Sequence, residues 1–109
     1  MDREDWGSLV AFAVVADERS FTRAAARLGV SPSALSHTMR RLEERLRIQL
    51  LARSTRSVST TEAGERLLTR LRPAIEEISG AVDELGRWLG AGEVRFTKNV
   101  PALWRTALR

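Results

Sequence analysis

The sequence predicts a mainly α fold: a winged helix-turn-helix of three helices plus a short two-stranded wing, followed by a long linker helix. Three observations predict it. Residues 20–43, SFTRAAARLGVSPSALSHTMRRLE, read as two short helices broken at Gly29 and restarted at Ser31-Pro32. Residues 48–60 hold two short runs of strand character around a polar, basic tip. Beyond them Leu68, Leu71, Ile75, Ile78, Val82, Leu85 and Leu89 recur at alternating spacings of three and four, the repeat of a helix that lies against another over a long distance.

The first helix is expected over residues 5–17, with Leu9, Phe12, Ala13 and Ala16 on one stripe and Val15 widening it. Glu18-Arg19 is the expected turn, and Ser20 the N-cap of a second helix burying Phe21, Ala24, Ala25 and Leu28. Ala24 and Ala25 are small where two helices must approach closely. Gly29 supplies the positive φ that leaves this helix, and Val30 packs inward from the turn. Ser31 then caps a third helix with Pro32 in its first turn, where a missing amide hydrogen costs nothing. In that helix Leu35, Met39, Leu42 and Leu46 share the face expected to bury.

After Arg47 the run Ile48-Gln49-Leu50-Leu51-Ala52-Arg53 and the run Val58-Ser59-Thr60 form the expected wing around Arg56. Thr60 or Thr61 caps the fourth helix, and Glu62 suits the amide dipoles of its first turn. At about 1.5 Å per residue that helix reaches roughly 43 Å if continuous to Leu89. Pro73 forfeits a bond to Thr69, and Gly80 and Gly86 weaken the helix or permit close approach. Residues 93–97 alternate as a strand does, and residues 101–108 read as the opening of another helix. The expected division is a winged domain over 1–60, a dimerisation helix over 61–90, and a tail over 91–109 that is either the start of a further domain or a short packed segment.

At 109 residues the chain has room for one small domain plus an extension. It has no cysteine, which removes disulfides, thiolate metal sites and cysteine nucleophiles together. The charged start MDREDW and the lack of a membrane-length apolar run point to a cytoplasmic location and no membrane partner. Net charge is +4, and its distribution is informative. Residues 19–60 hold nine arginines against Glu43 and Glu44, whereas residues 1–18 hold one arginine against five acids. Positive charge gathered on the helix pair and wing suits a phosphate-facing surface.

Against that background Ser33, Ser36 and His37 are candidates for base contact, with Pro32 a cap that also brushes the DNA backbone. Arg40 and Arg41 divide evenly between DNA contact and pairing with Glu43 or Glu44. Arg53 is placed to brace or touch the backbone, and Arg56 to reach the minor groove or a phosphate. The seven heptad residues from Leu68 to Leu89 are the expected dimerisation surface, the other reading being packing onto the winged domain itself. Trp6, Trp88 and Trp104 lie outside the basic segment and are read as core or interface residues rather than base-stacking platforms. The single histidine has no acid at a spacing suited to a triad or metal site, and no glycine-rich phosphate loop occurs. No enzyme activity, cofactor or metal is expected.

Taken in order, Ser20-Phe21-Thr22, Ala24-Ala25, Leu28, Ser31, Leu35-Ser36, Leu42-Glu43, Leu50-Leu51-Ala52-Arg53, Val58, Thr61 and Ala63-Gly64 closely resemble the amino-terminal domain of LysR-type bacterial transcriptional regulators. The resemblance covers about residues 5–90. It implies a winged domain that binds double-stranded DNA, linker helices paired in an antiparallel homodimer, higher oligomers in a full-length form, and a separate metabolite-sensing domain whose pocket this chain does not complete. It places Pro32, Ser33, Ser36 and His37 at the start of the recognition helix, Arg53 at the wing base and Arg56 at the wing tip. Leu51 stands where many members have Phe, and His37 where Arg is frequent. The rival expectation is an interaction module that forms mixed dimers with a full-length regulator.

Overall fold

A computed structural model describes residues 3–54 and 57–89. Its elements follow in the order α1 (Arg3–Glu18), α2 (Phe21–Leu28), α3 (Pro32–Leu46), β1 (Leu51–Arg53), β2 (Val58–Thr60) and α4 (Glu62–Trp88). The first helix is the hub, in contact with α2, α3, α4 and β2. Six consecutive residues, Val10 to Val15, are therefore buried, with Leu9 and Ala16 half-buried beside them. The single stripe expected from periodicity is too narrow, because a helix covered on several sides buries most of its circumference.

Each reversal between helices has an identifiable cause. Arg19 adopts a left-handed φ of 53° and its amide bonds to the Val15 carbonyl at 2.9 Å, ending α1. Ser20 is extended and its hydroxyl accepts the Arg23 amide at 3.1 Å, which starts α2. At the other end Gly29 takes φ 74°, donating to Ala26 while Val30 donates to Ala25, the paired bonds of a Schellman turn. Ser31 then accepts the Ala34 amide at 3.1 Å, with Pro32 in the first turn of α3.

α3 closes with the same turn chemistry but without glycine. Arg47 sits at φ 56° and donates to Glu44, while Ile48 donates to Glu43. Leu35, Met39 and Leu42 are buried as their spacing requires, but Leu46 is 47% exposed, contrary to expectation. The helix ends at Leu46 and the chain reverses at once, so the buried stripe passes from Leu42 to Leu50 and Leu51.

The wing is antiparallel, with Leu51 opposite Thr60, Ala52 opposite Ser59 and Arg53 opposite Val58. Alternation puts Leu51, Val58 and Arg53 on one face; Leu51 and Val58 bury, and Arg53 takes the rim. Ser54 and Ser57 close the far end through the Ser54 amide to the Ser57 carbonyl at 2.9 Å.

Thr61 caps α4 and also ties it to the strand approach. Its hydroxyl accepts the Gly64 amide at 3.1 Å and donates to the Gln49 carbonyl at 2.6 Å, and its own amide donates to Leu50 at 3.0 Å. α4 then runs through Pro73 as one helix to Trp88. Gly64, Leu68 and Leu71 are buried, so the core includes the opening turns of this helix. Arg72 pairs with Asp17 at 2.9 Å, fixing α4 against α1. The strand expected over 93–97, the helix over 101–108 and Trp104 lie outside the described residues, as does the tail 91–109.

Candidate nucleic-acid interface

The buried face of α3 determines what its other face presents. With Leu35, Met39 and Leu42 locked inward, Pro32, Ser33, His37, Arg40 and Arg41 are exposed and Ser36 is half-buried. Ser33 stays within 3.4 Å of the capping Ser31 hydroxyl. The Thr38 hydroxyl donates to Ala34 within the helix. The opening of α3 thus carries small hydroxyls and one imidazole, followed by arginines. Short side chains let the backbone approach a base edge, and longer cations reach toward flanking phosphates.

A second cationic feature stands at the far end of this helix. Arg40, Glu43, Arg47 and Arg53 line one open depression, together with Glu44, Ile48 and Gln49. Arg53 Nη2 lies 3.3 Å from Glu43 Oε1, and the guanidinium carbon is 5.3 Å from the centre of the Phe21 ring. Three elements therefore hold this arginine: α2 through Phe21, α3 through Glu43 and its own strand. The other candidate of the wing, Arg56, lies outside the described residues.

Sequence reasoning missed the role of Glu43. Its Oε2 accepts the amides of Leu50 at 2.8 Å and Leu51 at 3.0 Å, leaving Oε1 for Arg53. In the sequence Glu43 reads only as a partner for Arg40 or Arg41 on the helix surface and as one of the residues that carry the family resemblance. The available signal was position, since Glu43 shares the helix face of Ser36, Arg40 and Arg47. Nothing local says that two amides at the entry to β1 fold back onto it.

Several arginines elsewhere brace the fold. Arg23 and Arg27 both pair with Glu18, and Arg45 pairs with Asp5, joining the end of α3 to the start of α1. The proposed seam residues divide into two groups. Leu68 and Leu71 are buried within the chain's own core and Ile75 packs partly against it. Ile78, Leu85 and Leu89 are exposed and Val82 half-buried along the remaining helix. Trp88 is 78% exposed, whereas Trp6 is half-buried. Among the described residues no cluster of histidine and acid side chains is arranged to hold a metal ion, and no helix is long and apolar enough to cross a membrane.

Helices α2 and α3, joined by the Gly29 turn and followed by the β1–β2 hairpin, define a winged helix-turn-helix domain with a long C-terminal helix. The model of the bacterial regulatory helix-turn-helix protein, lysR family, matches residues 6–65, and the chain belongs to this family. It is 58% identical over 99 residues to the HTH-type transcriptional regulator PgrR of Escherichia coli (strain K12), covering 89% of this chain and 33% of that protein. It is 43% identical over 91 residues to the HTH-type transcriptional regulator PtxR of Pseudomonas aeruginosa, covering 82% and 29%. The chain thus spans about a third of the length of the curated relatives it matches. Among solved structures it resembles the BenM DBD in a complex with catB site 1 DNA, at a TM-score of 0.68 and 34% identity, over 75% of this chain and 92% of that one. The oxidized form of Corynebacterium glutamicum OxyR matches at a TM-score of 0.66 and 33% identity, over 72% and 25%.

Proposed function

We propose that this chain is the DNA-reading part of a bacterial transcriptional regulator and binds double-stranded DNA as a homodimer, with α3 in the major groove. The observation that carries the reading is the two-sided character of α3. One face is locked into the core by Leu35, Met39 and Leu42, and the opposite face offers Pro32, Ser33, His37 and Arg40 to solvent. The likeness to the BenM DBD, whose structure is of a DNA complex, supports DNA binding by this chain. Ser33, Ser36 and His37 would meet bases; Arg40, Arg41, Arg53 and Arg56 would meet phosphates or groove walls.

The homodimer reading rests on α4 beyond the core. Ile78, Val82, Leu85 and Leu89 continue the heptad where this chain has nothing to cover them among the described residues. A two-fold pair presents two copies of α3 to half-sites separated by one DNA turn, about 34 Å, or a multiple of it. The division into a winged domain over 1–60 and a dimerisation helix over 61–90 belongs to the same reading, with Leu68 and Leu71 serving the first unit. The bacterial cytoplasm, where DNA lies, is the corresponding compartment.

A mobility-shift titration of the chain against labelled duplex at about 50 and 200 mM salt tests the reading. Binding that weakens steeply with salt is expected, because each phosphate contact displaces counterions. A chain that dimerises yet shifts no duplex at the lower salt would sink it.

A further inference from the structure

We infer, on the basis of the DNA-binding reading above, that Glu43 is a positioning residue of the interface: its carboxylate fixes the wing to the recognition helix and sets where Arg53 stands. An acid in a surface meant for phosphate is otherwise a liability, since it repels the ligand. Its placement resolves the conflict. The Glu43 side chain is only 13% exposed, with one oxygen directed at two successive amides and the other at Arg53.

The geometry gives each oxygen a separate task. Oε2 receives Leu50 and Leu51, the residues where the chain enters β1, so the strand's start is tied to the last turns of α3. Charge-assisted amide bonds of this kind are stronger than neutral ones and fix orientation as well as distance. Oε1 meets Arg53 two residues farther along, on the same face of the strand as Leu51. Phe21 bounds the guanidinium from α2 at 5.3 Å. A guanidinium carries five donors in a planar fork, and Glu43 occupies it through Nη2. The contact leaves Arg53 partly exposed beside Arg40 and Arg47, in the depression that these arginines share. An arginine ordered before contact loses less rotational freedom when a phosphate arrives.

This arrangement predicts a sign that simple electrostatics reverses. Removing a negative charge from a DNA-facing surface tightens binding if charge alone matters. If Glu43 acts by holding Arg53, the same change weakens binding, and does so only while Arg53 is present.

The test uses the 109-residue chain and a duplex that this chain recovers from a randomised pool. Glu43→Gln retains an oxygen for the Leu50 and Leu51 amides but loses the charge that holds Arg53. It is expected to bind this duplex about five- to tenfold more weakly. In an Arg53→Ala background the same change is expected to alter affinity by less than about twofold, the mark of two residues acting as one unit. Hydrogen exchange at the Leu50 and Leu51 amides should stay protected in Glu43→Gln, showing that the wing remains docked. Equal or tighter binding by Glu43→Gln overturns the inference and leaves the DNA reading standing. An equal loss with and without Arg53 also overturns it, because Glu43 then acts only on the fold. If the unaltered chain recovers no duplex, the DNA-binding reading fails and the inference with it.

Discussion

Gly64 stands against the carbonyl of Leu50 so closely that a Cβ added to it would lie 2.3 Å from the Leu50 oxygen. The start of α4 is pressed onto the backbone that leads into β1, and Thr61 stitches the same two segments together. Gly64→Ala brings two opposing effects. Alanine favours a helix by about 1 kcal/mol, but a backbone overlap of this depth forces α4 away from Leu50 and Phe12, a cost of about 1–3 kcal/mol or more. Overlap wins because the obstructing atom is backbone. The variant should unfold at lower urea concentration, and an unchanged midpoint would show that the helix start is free to move.

Arg47 invites the opposite substitution. It holds a left-handed φ of 56° at the end of α3, where a side chain costs about 1–2 kcal/mol. Glycine removes that strain but adds freedom to the unfolded chain, worth up to about 1 kcal/mol. Arg47→Gly should therefore raise stability by about 0.5–1 kcal/mol, seen as a higher thermal midpoint. A lower midpoint would mean that the arginine side chain contributes more than its backbone costs.

The proposed dimer seam makes a mass prediction. Burying a large apolar side chain yields about 1.5–3 kcal/mol, so the four outer heptad residues together are comparable with the 4–15 kcal/mol or so that association costs. Such a balance tolerates no buried charge. Ile78→Asp should yield monomers in light scattering, with the winged domain intact because Ile78 lies beyond the buried Leu68 and Leu71. A variant that keeps the dimer mass would remove this stripe as the interface.

Substitution at His37 tests reading apart from folding. It is exposed on the outer face of α3, away from Leu35, Met39 and Leu42. His37→Ala should weaken binding to a selected duplex by about five- to tenfold, the lower end of a specific base contact, and leave the thermal midpoint within about 1 °C. Equal affinity of the two proteins would take His37 out of the interface.

What the sequence made legible was local. Ser20, Gly29 and Ser31 with Pro32 each act within a few residues of themselves, so residue type alone located the turn between α2 and α3 and both of its caps, and narrowed the start of α4 to Thr60 or Thr61, of which Thr61 is the cap. The inward residues Leu35, Met39 and Leu42 were readable for the same reason. What stayed hidden depends on where separate segments meet. Leu46 has the spacing of a buried residue but no neighbour among the described residues to cover it, and Leu68 and Leu71 share a repeat with Ile78 yet bury in the chain's own core while Ile78 stays exposed. Glu43 and Gly64 act on the backbone at Leu50, seven and fourteen residues away around a turn, and no periodicity encodes that meeting.

The continuity of α4 has a mechanical consequence. Leu71 is clamped in the winged head while Leu89 lies some 27 Å farther along at about 1.5 Å per residue, so the helix is a lever with one end cast into the head that we propose reads DNA. A tilt of about 10° at the clamp carries the far end about 5 Å. Run in reverse, a push of that size beyond Trp88 arrives at Gly64 and Leu50, and hence at the root of the wing, as a torque.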